Sequence, residues 1–510
     1  MRSTLLRLVA AVALLPVVAV PAAASPAVPK IDWKACGSEY PGLDCATVPV
    51  PLDYDNPRGA TTKVALARKP ASDKANRIGT LFINPGGPGG SGVEFALGAG
   101  NELDKQLKGR FDIVGFDPRG IGQSDPIHCF ASEEELNKFF EGIPAFPYQA
   151  DQERPYFDRL RSLAPKCLAA DRTIARHMST ADVARDMDLL RQAVGDKKIS
   201  YLGFSYGTFL GATYANLFPN NIRALAIDGV LNPELWSSGR QIQSDRIATA
   251  EEFGEFLKLC DAAGSACAFH TPGGAVKRWE RTADSIRKKP IKLGDELVTY
   301  DVLINFVVGA MYGPEGWGGP QGAGAVLDQI ADVVEGSVSA ASAPFTREAD
   351  YANGFDAYNG NVCADIQMPS RFGEYQAIGR YAEAGSRFGP LWWWGNAACA
   401  DWPVNDDRYT GPWNHRTSAP VLVVGNHFDG ITDFRGAQAV ARQLPNSRLL
   451  AYAGWGHTAY GRSGCTTEYM NNYLLTGALP PVGTVCAANP NPFLPSVASV
   501  SAGLPVAPRR

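Results

Sequence analysis

Residues 199–207 read Ile199-Ser200-Tyr201-Leu202-Gly203-Phe204-Ser205-Tyr206-Gly207. An apolar run enters a G-x-S-x-G element, and a helix-compatible stretch, Tyr206 to Phe218, leaves it. This is the setting of a nucleophile elbow, in which a serine sits on a sharp strand-to-helix turn. Such a turn strains the backbone, and a glycine two residues to either side removes Cβ atoms that would collide there. The first turn of the following helix aims N–H groups and partial positive charge at the reacting centre. Ser205 is therefore expected to be a nucleophile rather than an ordinary turn serine.

The chain around the elbow alternates strands and helices. Thr47 to Tyr54 and Thr61 to Lys69 alternate like an antiparallel hairpin. Ile78 to Asn84 reads as a strand that runs into Pro85-Gly86-Gly87-Pro88-Gly89-Gly90-Ser91-Gly92. Phe111 to Phe116 is a buried-type strand ending in Asp117-Pro118-Arg119-Gly120. Thr180 to Val194 is an amphipathic helix with Val183, Met187, Leu190 and Val194 on one face. Ile222 to Ile227 is a sixth strand. Strand signals then nearly vanish, and helical patterns recur from about residue 231 to 415. Strands return at Pro420 to Val424 and Ser447 to Tyr452, with a helix over Phe434 to Gln443 between them. The expected architecture is an α/β fold with a mostly parallel sheet and a helical lid inserted after the sixth strand. The expected parts are a core over 34–230 and 416–490, a lid over 231–415, and an irregular tail over 491–510.

A serine hydroxyl needs a base within hydrogen-bond reach and a third group to orient that base. The strand from Pro420 leads into Gly425-Asn426-His427-Phe428-Asp429, and the strand from Ser447 leads into Gly454-Trp455-Gly456-His457. Both put a polar residue just past the carboxyl end of a strand, where parallel sheets build their active sites. Of six histidines, only His457 follows a late strand in a glycine-rich turn. Asp429 is the expected orienting acid, with Asp433 its nearest rival. The order Ser205, Asp429, His457 is that of the α/β-hydrolases. The oxyanion hole is expected from the backbone N–H groups of Tyr206 and Gly87. The glycine loop lacks the Lys-Ser or Lys-Thr ending of a phosphate loop. This chemistry calls for no cofactor and no metal.

Composition narrows the class. The 510 residues are 45% hydrophobic and 20% charged, ordinary for a globular protein. The net charge of −4 gives no sign of nucleic-acid or anionic-membrane binding. Residues 1–24 read as a secretory signal: Arg2 and Arg7, an apolar run from Leu8 to Val20, then Ala22-Ala23-Ala24. That run is 13 residues long, against roughly 20 needed to span a bilayer. The mature protein is expected to be secreted, with cleavage near Ala24. Ten cysteines in an exported chain suggest disulfides. Sequence leaves the connectivity open, but short loops close most readily. That favours Cys36/Cys45, Cys129/Cys167, Cys260/Cys267, Cys363/Cys399 and Cys465/Cys486.

Asn84-Pro85-Gly86-Gly87-Pro88-Gly89 resembles the signature of the proline iminopeptidase group of α/β-hydrolases. The runs Asp117 to Ser124 and Ser205-Tyr206-Gly207-Thr208 fit the same group. Within it, the chain looks like the secreted bacterial tripeptidyl aminopeptidases, from about residue 34 to 490. After the triad aspartate the group often continues Pro-x-Thr-Pro, where this chain has Gly430-Ile431-Thr432-Asp433. The resemblance implies a serine exopeptidase that acts on peptide substrates with free N-termini; a carboxylesterase or lipase would share the machinery. A buried substrate ammonium needs carboxylate partners. Glu234, Asp245, Glu251, Glu252, Asp356 and Asp365 lie in the expected lid, with Asp365, tethered beside Cys363, foremost and Glu234 next. Trp392-Trp393-Trp394 and Trp402 read as core or as the wall of a side-chain pocket.

Overall fold

The computed structural model describes residues 25–336, 353–403 and 407–495. The expected signal segment lies outside them, as does the end of the tail.

Ten strands form one sheet. In chain order they are β1 (Lys34–Ala35), β2 (Asp44–Pro51), β3 (Thr61–Lys69), β4 (Gly79–Asn84), β5 (Phe111–Phe116), β6 (Ile199–Phe204), β7 (Ile222–Asp228), β8 (Val421–Phe428), β9 (Ser447–Trp455) and β10 (Val485–Cys486). Their spatial order is β1-β2-β3-β5-β4-β6-β7-β8-β9-β10. The pairs from β1 through β3 to β5 are antiparallel, and the rest are parallel. The two-residue β1 was not legible in the sequence, so the insertion follows the seventh strand.

Register decides where the site can be. Asn84 lies beside Gly203, Phe204 beside Asp228, and Asp228 beside Val424. The carboxyl ends of β4, β6, β7, β8 and β9 therefore open onto one edge, and the expected catalytic and oxyanion-hole residues follow β4, β6, β8 and β9. The central strands are buried on both faces, which explains their continuous apolar runs. Tyr201 and Val423 face a core with the helices α2 (Thr180–Ala193), α3 (Tyr206–Leu217) and α6 (Phe434–Gln443). Leu202 and Val424 face the opposite core, under α1 (Gly92–Gln106) and α7 (Gly464–Thr476). Truncating such a fully buried leucine to alanine costs about 2–5 kcal/mol.

Between β7 and β8 the chain builds helices and one small hairpin, including α4 (Ile242–Ala263) and α5 (Gly354–Asp365). The expected core over 34–230 is not continuous. Residues 117–179 leave the sheet as four short helices that share the insertion's hydrophobic core. Phe157 packs on Tyr375 with ring centres 5.0 Å apart, and Tyr156 on Trp394 at 6.2 Å. The reason is apolar area: neither excursion can cover its aromatic face alone, and each buries the other's.

The structure pairs the cysteines sequentially: Cys36–Cys45, Cys129–Cys167, Cys260–Cys267, Cys363–Cys399 and Cys465–Cys486. Among the described residues no helix is long and apolar enough to cross a membrane. Phe493, in the expected tail, is buried against Phe256 and Trp317.

Candidate active site

Ser205 sits between β6 and α3 with φ 55° and ψ −124°. A non-glycine residue held there stores roughly 1–3 kcal/mol of strain. Its N–H is anchored to Asp228 O at 3.0 Å. Two glycines make the turn possible by close approach. A Cβ on Gly207 would lie 2.7 Å from Asn84 Oδ1, and one on Gly86 would lie 2.8 Å from Ser205 Cβ. The glycine loop is thus pressed onto the elbow. Asn84 Oδ1 accepts the Gly86 N–H at 2.9 Å, which leaves Gly87 as the next donor along the loop. The Tyr206 N–H opens α3 and has no carbonyl one turn back to bond.

Asp429 follows β8, and His457 follows β9; each is 2% exposed. His457 Nδ1 lies 3.1 and 3.0 Å from the two Asp429 carboxylate oxygens. Asp429 also accepts the N–H groups of Ile431 (3.0 Å) and Thr432 (2.8 Å) and the Thr432 hydroxyl (2.9 Å). Burial pushes its pKa up, but the His457 charge and these hydrogen bonds outweigh it and hold the carboxylate below its ordinary value. His457 Nε2 is buried and has no hydrogen-bond partner among the described residues. With Nδ1–H committed to Asp429, Nε2 carries the free lone pair that a general base needs.

The departure after Asp429 now has a physical reading. Thr432 keeps the turn, while Asp433 caps α6 and pairs with Arg435 at 2.7 Å. Asp433 is therefore not the orienting acid.

Neighbouring groups fix the histidine loop. Asp228 accepts the N–H groups of Ala459 (2.9 Å) and Tyr460 (2.8 Å), and burial raises its pKa to about 6. Asn426 donates to Gly456 O (2.6 Å) and Thr458 O (2.9 Å). Arg462 donates to His457 O at 2.7 Å. The insertion contributes Tyr312, whose carbonyl accepts the His457 N–H at 3.1 Å and whose ring meets the imidazole edge-on. Sequence reasoning assigned none of these roles. Only Asp228, at a strand's carboxyl end, carried a positional signal.

The resemblance motif after β5 proves architectural. Asp117 accepts from Ser91 Oγ (2.6 Å) and Val93 N (3.0 Å), tying the start of α1 to its own loop. Fully buried Arg119 pairs with Asp186 on α2 at 2.6 Å.

Of the two carboxylates expected to meet the substrate, Asp365 is not free to do so. Asp365 is 3% exposed; its oxygens accept the Thr180 N–H (2.9 Å) and hydroxyl (2.6 Å). It satisfies an N-terminal donor of α2 that would otherwise be orphaned, and burial raises its pKa to about 7. Glu234 is exposed and accepts from Gln443 at 3.1 Å. Asp245 and Glu252 lie instead on the face of α4 that covers the acid loop. Asp245 is buried, and its pKa is pushed well up by burial and then by the charges of Asp433 and Asp429. Of the tryptophans, Trp393 and Trp394 are core; Trp392 is half-buried and donates to Thr249 Oγ1 at 2.9 Å.

Among the described residues, His177, Asp182 and Asp407 could offer a metal three ligand atoms within 4.8 Å of one another. Asp182 already faces Arg185 at 2.9 Å and Arg119 at 3.9 Å, so a cation entering there would meet two guanidiniums.

A strained serine, a buried aspartate–histidine pair and a glycine loop at one edge of a mostly parallel sheet define a serine hydrolase of the α/β-hydrolase class. A family model described as alpha/beta hydrolase fold matches residues 79–260, and one described as TAP-like protein matches 384–486. The tripeptidyl aminopeptidase of Streptomyces lividans is 31% identical over 494 residues, covering 92% of this chain and 89% of that protein. The serine protease Hip1 of Mycobacterium tuberculosis is 30% identical, with 89% and 91% covered. A Mycobacterium tuberculosis protein named carboxylesterase B is 31% identical, with 90% of each covered. The chain belongs to this family of α/β-hydrolases with a TAP-like carboxyl-terminal segment.

Proposed function

We propose that the protein is an exported serine exopeptidase that releases short peptides, tripeptides foremost, from free N-termini. The observation that carries this reading is likeness to a tripeptidyl aminopeptidase over 92% of the chain, together with the Ser205, His457 and Asp429 arrangement. Ser205 attacks the scissile carbonyl while His457 Nε2 takes its proton. The oxyanion is held by the N–H groups of Gly87 and Tyr206. His457 then gives the proton to the leaving amine, and Asp429 stabilises the imidazolium between the two steps. Water deacylates Ser205 by the same route. The signal-like segment and five disulfides support export.

In this reading the insertion roofs the site, and its carboxylates meet the substrate ammonium. Asp245 is put forward for that role because Asp365 is spent on α2; Gln241 holds Asp245 at 2.8 Å, and since burial pushes its pKa well up, the ammonium must favour its ionised form on binding. The test compares free-amine peptide amides, N-acylated peptide amides and simple esters. Asp245→Asn should cost about 10–150-fold on free-amine peptides and little on esters. If N-acylated peptides are cut as well as free ones, the second reading, a carboxylesterase as one relative's name suggests, replaces the first.

A further inference from the structure

Glu252 lies on α4, in the insertion, and is fully buried. One carboxyl oxygen accepts the Gly430 N–H at 2.7 Å; the other accepts the Gly456 N–H at 2.7 Å. Gly430 immediately follows the triad aspartate, and Gly456 immediately precedes the triad histidine. One side chain, from a helix outside the sheet, thus touches both loops at the residues next to the catalytic pair. The Gly456 N–H also reaches Phe428 O at 3.0 Å, so Glu252 adds to that bond. Among the described residues the Gly430 N–H has no other acceptor.

The surroundings are built around this contact. A Cβ on Gly430 would lie 2.5 Å from Glu252 Oε2. One turn away on the same face, the Thr249 hydroxyl donates to Gly430 O and accepts from Trp392. The polar face of α4 therefore grips both the N–H and the carbonyl of Gly430. A carboxyl group is costly to bury without full hydrogen bonding; a leucine of similar size would fill the space at less cost. Yet that leucine would leave the Gly430 N–H without its acceptor, so the carboxyl satisfies a buried donor; because its two oxygens reach different loops, it also ties their spacing.

We propose that Glu252 is a positioning residue that sets the spacing between the Asp429 and His457 loops, making helix α4 a structural part of the triad. It does not touch the reacting atoms. The proposal rests on the Ser205, His457 and Asp429 assignment and is independent of whether the substrate is a peptide or an ester.

The test uses the full-length secreted enzyme and two probes, a simple activated ester and a fluorophosphonate that reports Ser205 nucleophilicity. Glu252→Gln keeps the volume but turns an amide donor toward one of the two N–H groups. A misplacement of about 1 Å can cost about 100-fold. The expected result is a kcat loss of about 10–100-fold, a KM within about twofold, and fluorophosphonate labelling slowed in parallel. Gly430→Ala pushes the same contact apart from the other side and should reproduce that pattern. The double variant should be no worse than the more damaged single one, because both break one contact.

A folded Glu252→Gln enzyme with unchanged kcat and labelling rate would overturn the proposal. So would losses in KM alone, or full additivity of the two variants. If neither variant folds, Glu252 serves stability and the proposal falls. Ser205→Ala, assayed beside them, keeps the two ideas apart. If it stays active the triad assignment fails, and if it is dead while Glu252→Gln is intact only the positioning role fails.

Discussion

Replacing Asp429 with asparagine tests the site where its geometry is most specific. The carboxylate performs two jobs at once. It accepts from His457 Nδ1 at 3.0–3.1 Å, and it closes its own turn through the N–H groups of Ile431 and Thr432. Both turn bonds end on Oδ1, so an asparagine that keeps its carbonyl there preserves the loop. Its amide NH2 then occupies the other position, where the Thr432 hydroxyl can turn round to accept. That NH2 faces His457 Nδ1 as a donor. This favours the tautomer with the imidazole proton on Nε2, the nitrogen that has to receive the Ser205 proton. In the serine-protease template this exchange costs about 10⁴ in kcat, equivalent to about 5 kcal/mol of barrier. KM should change by less than about threefold, since no substrate contact is altered. The assay is steady-state turnover of an ester and a peptide, with circular dichroism to confirm the fold. Asp433→Asn is the control: its amide oxygen can still cap α6, and losing the charge toward half-exposed Arg435 should cost at most about 1 kcal/mol of stability with kcat nearly unchanged. More than about a tenth of wild-type kcat in Asp429→Asn, or equal damage in Asp433→Asn, would refute the assignment.

Ser205→Ala should fold normally and lose about 10⁶ in kcat; a pure preparation with a few per cent of activity would contradict it. Thiol titration of denatured, unreduced mature protein should find no free cysteine, and two or more per chain would break the pairing seen here. Asp365 should make stability fall with rising pH. Its folded pKa is about 7 against an ordinary 3.8, so between those values the unfolded chain has released a proton that the native state still holds. The sign is a loss, on the order of 4 kcal/mol across the window. Asp365→Asn should flatten that part of the denaturation-versus-pH curve, and an unchanged slope would remove Asp365 as its source.

The parts legible in the sequence were those specified over a few residues. The elbow at Ser205 declares itself because only glycines tolerate the contacts at 86 and 207. The strands read from apolar residues as Pro420 to Val424 and Ser447 to Tyr452 are found, and they run on to Phe428 and Trp455. Asp429 and His457 follow from standing just beyond those ends. Helix boundaries in the insertion were also close: the helix expected from Ala275 to Lys288 is found there, and the one expected over Gln241 to Cys260 spans Ile242–Ala263. What stayed hidden depends on partners far apart in the chain. An apolar face on residues 150–161 announces that something covers it, but not that Tyr375 and Trp394 do. Asp365 beside a cystine looked rigid and available; only the fold reveals that the start of α2 uses both its oxygens.

The same limit explains why the insertion was read as a lid that meets the substrate and not as a support for the histidine and acid loops. From sequence, Glu252 is one of several acidic residues on an amphipathic helix, where most are solvated. Its neighbour Glu251 is such a residue, exposed and paired with Arg435 at 2.8 Å. One step along the helix turns the next side chain about 100°, from solvent into the seam between insertion and sheet. There it meets two backbone N–H groups that belong to loops 26 residues apart, Gly430 and Gly456. The sheet alone ties the histidine loop through Asp228 and Asn426, but ties the acid loop chiefly to itself. The insertion adds a cross-link through Glu252 to the bond between Gly456 N–H and Phe428 O, and a second hold on the base through Tyr312 O. Exchanging or trimming the insertion to change which substrates enter should therefore cost kcat as well as KM, unless α4 and the Tyr312 turn are kept.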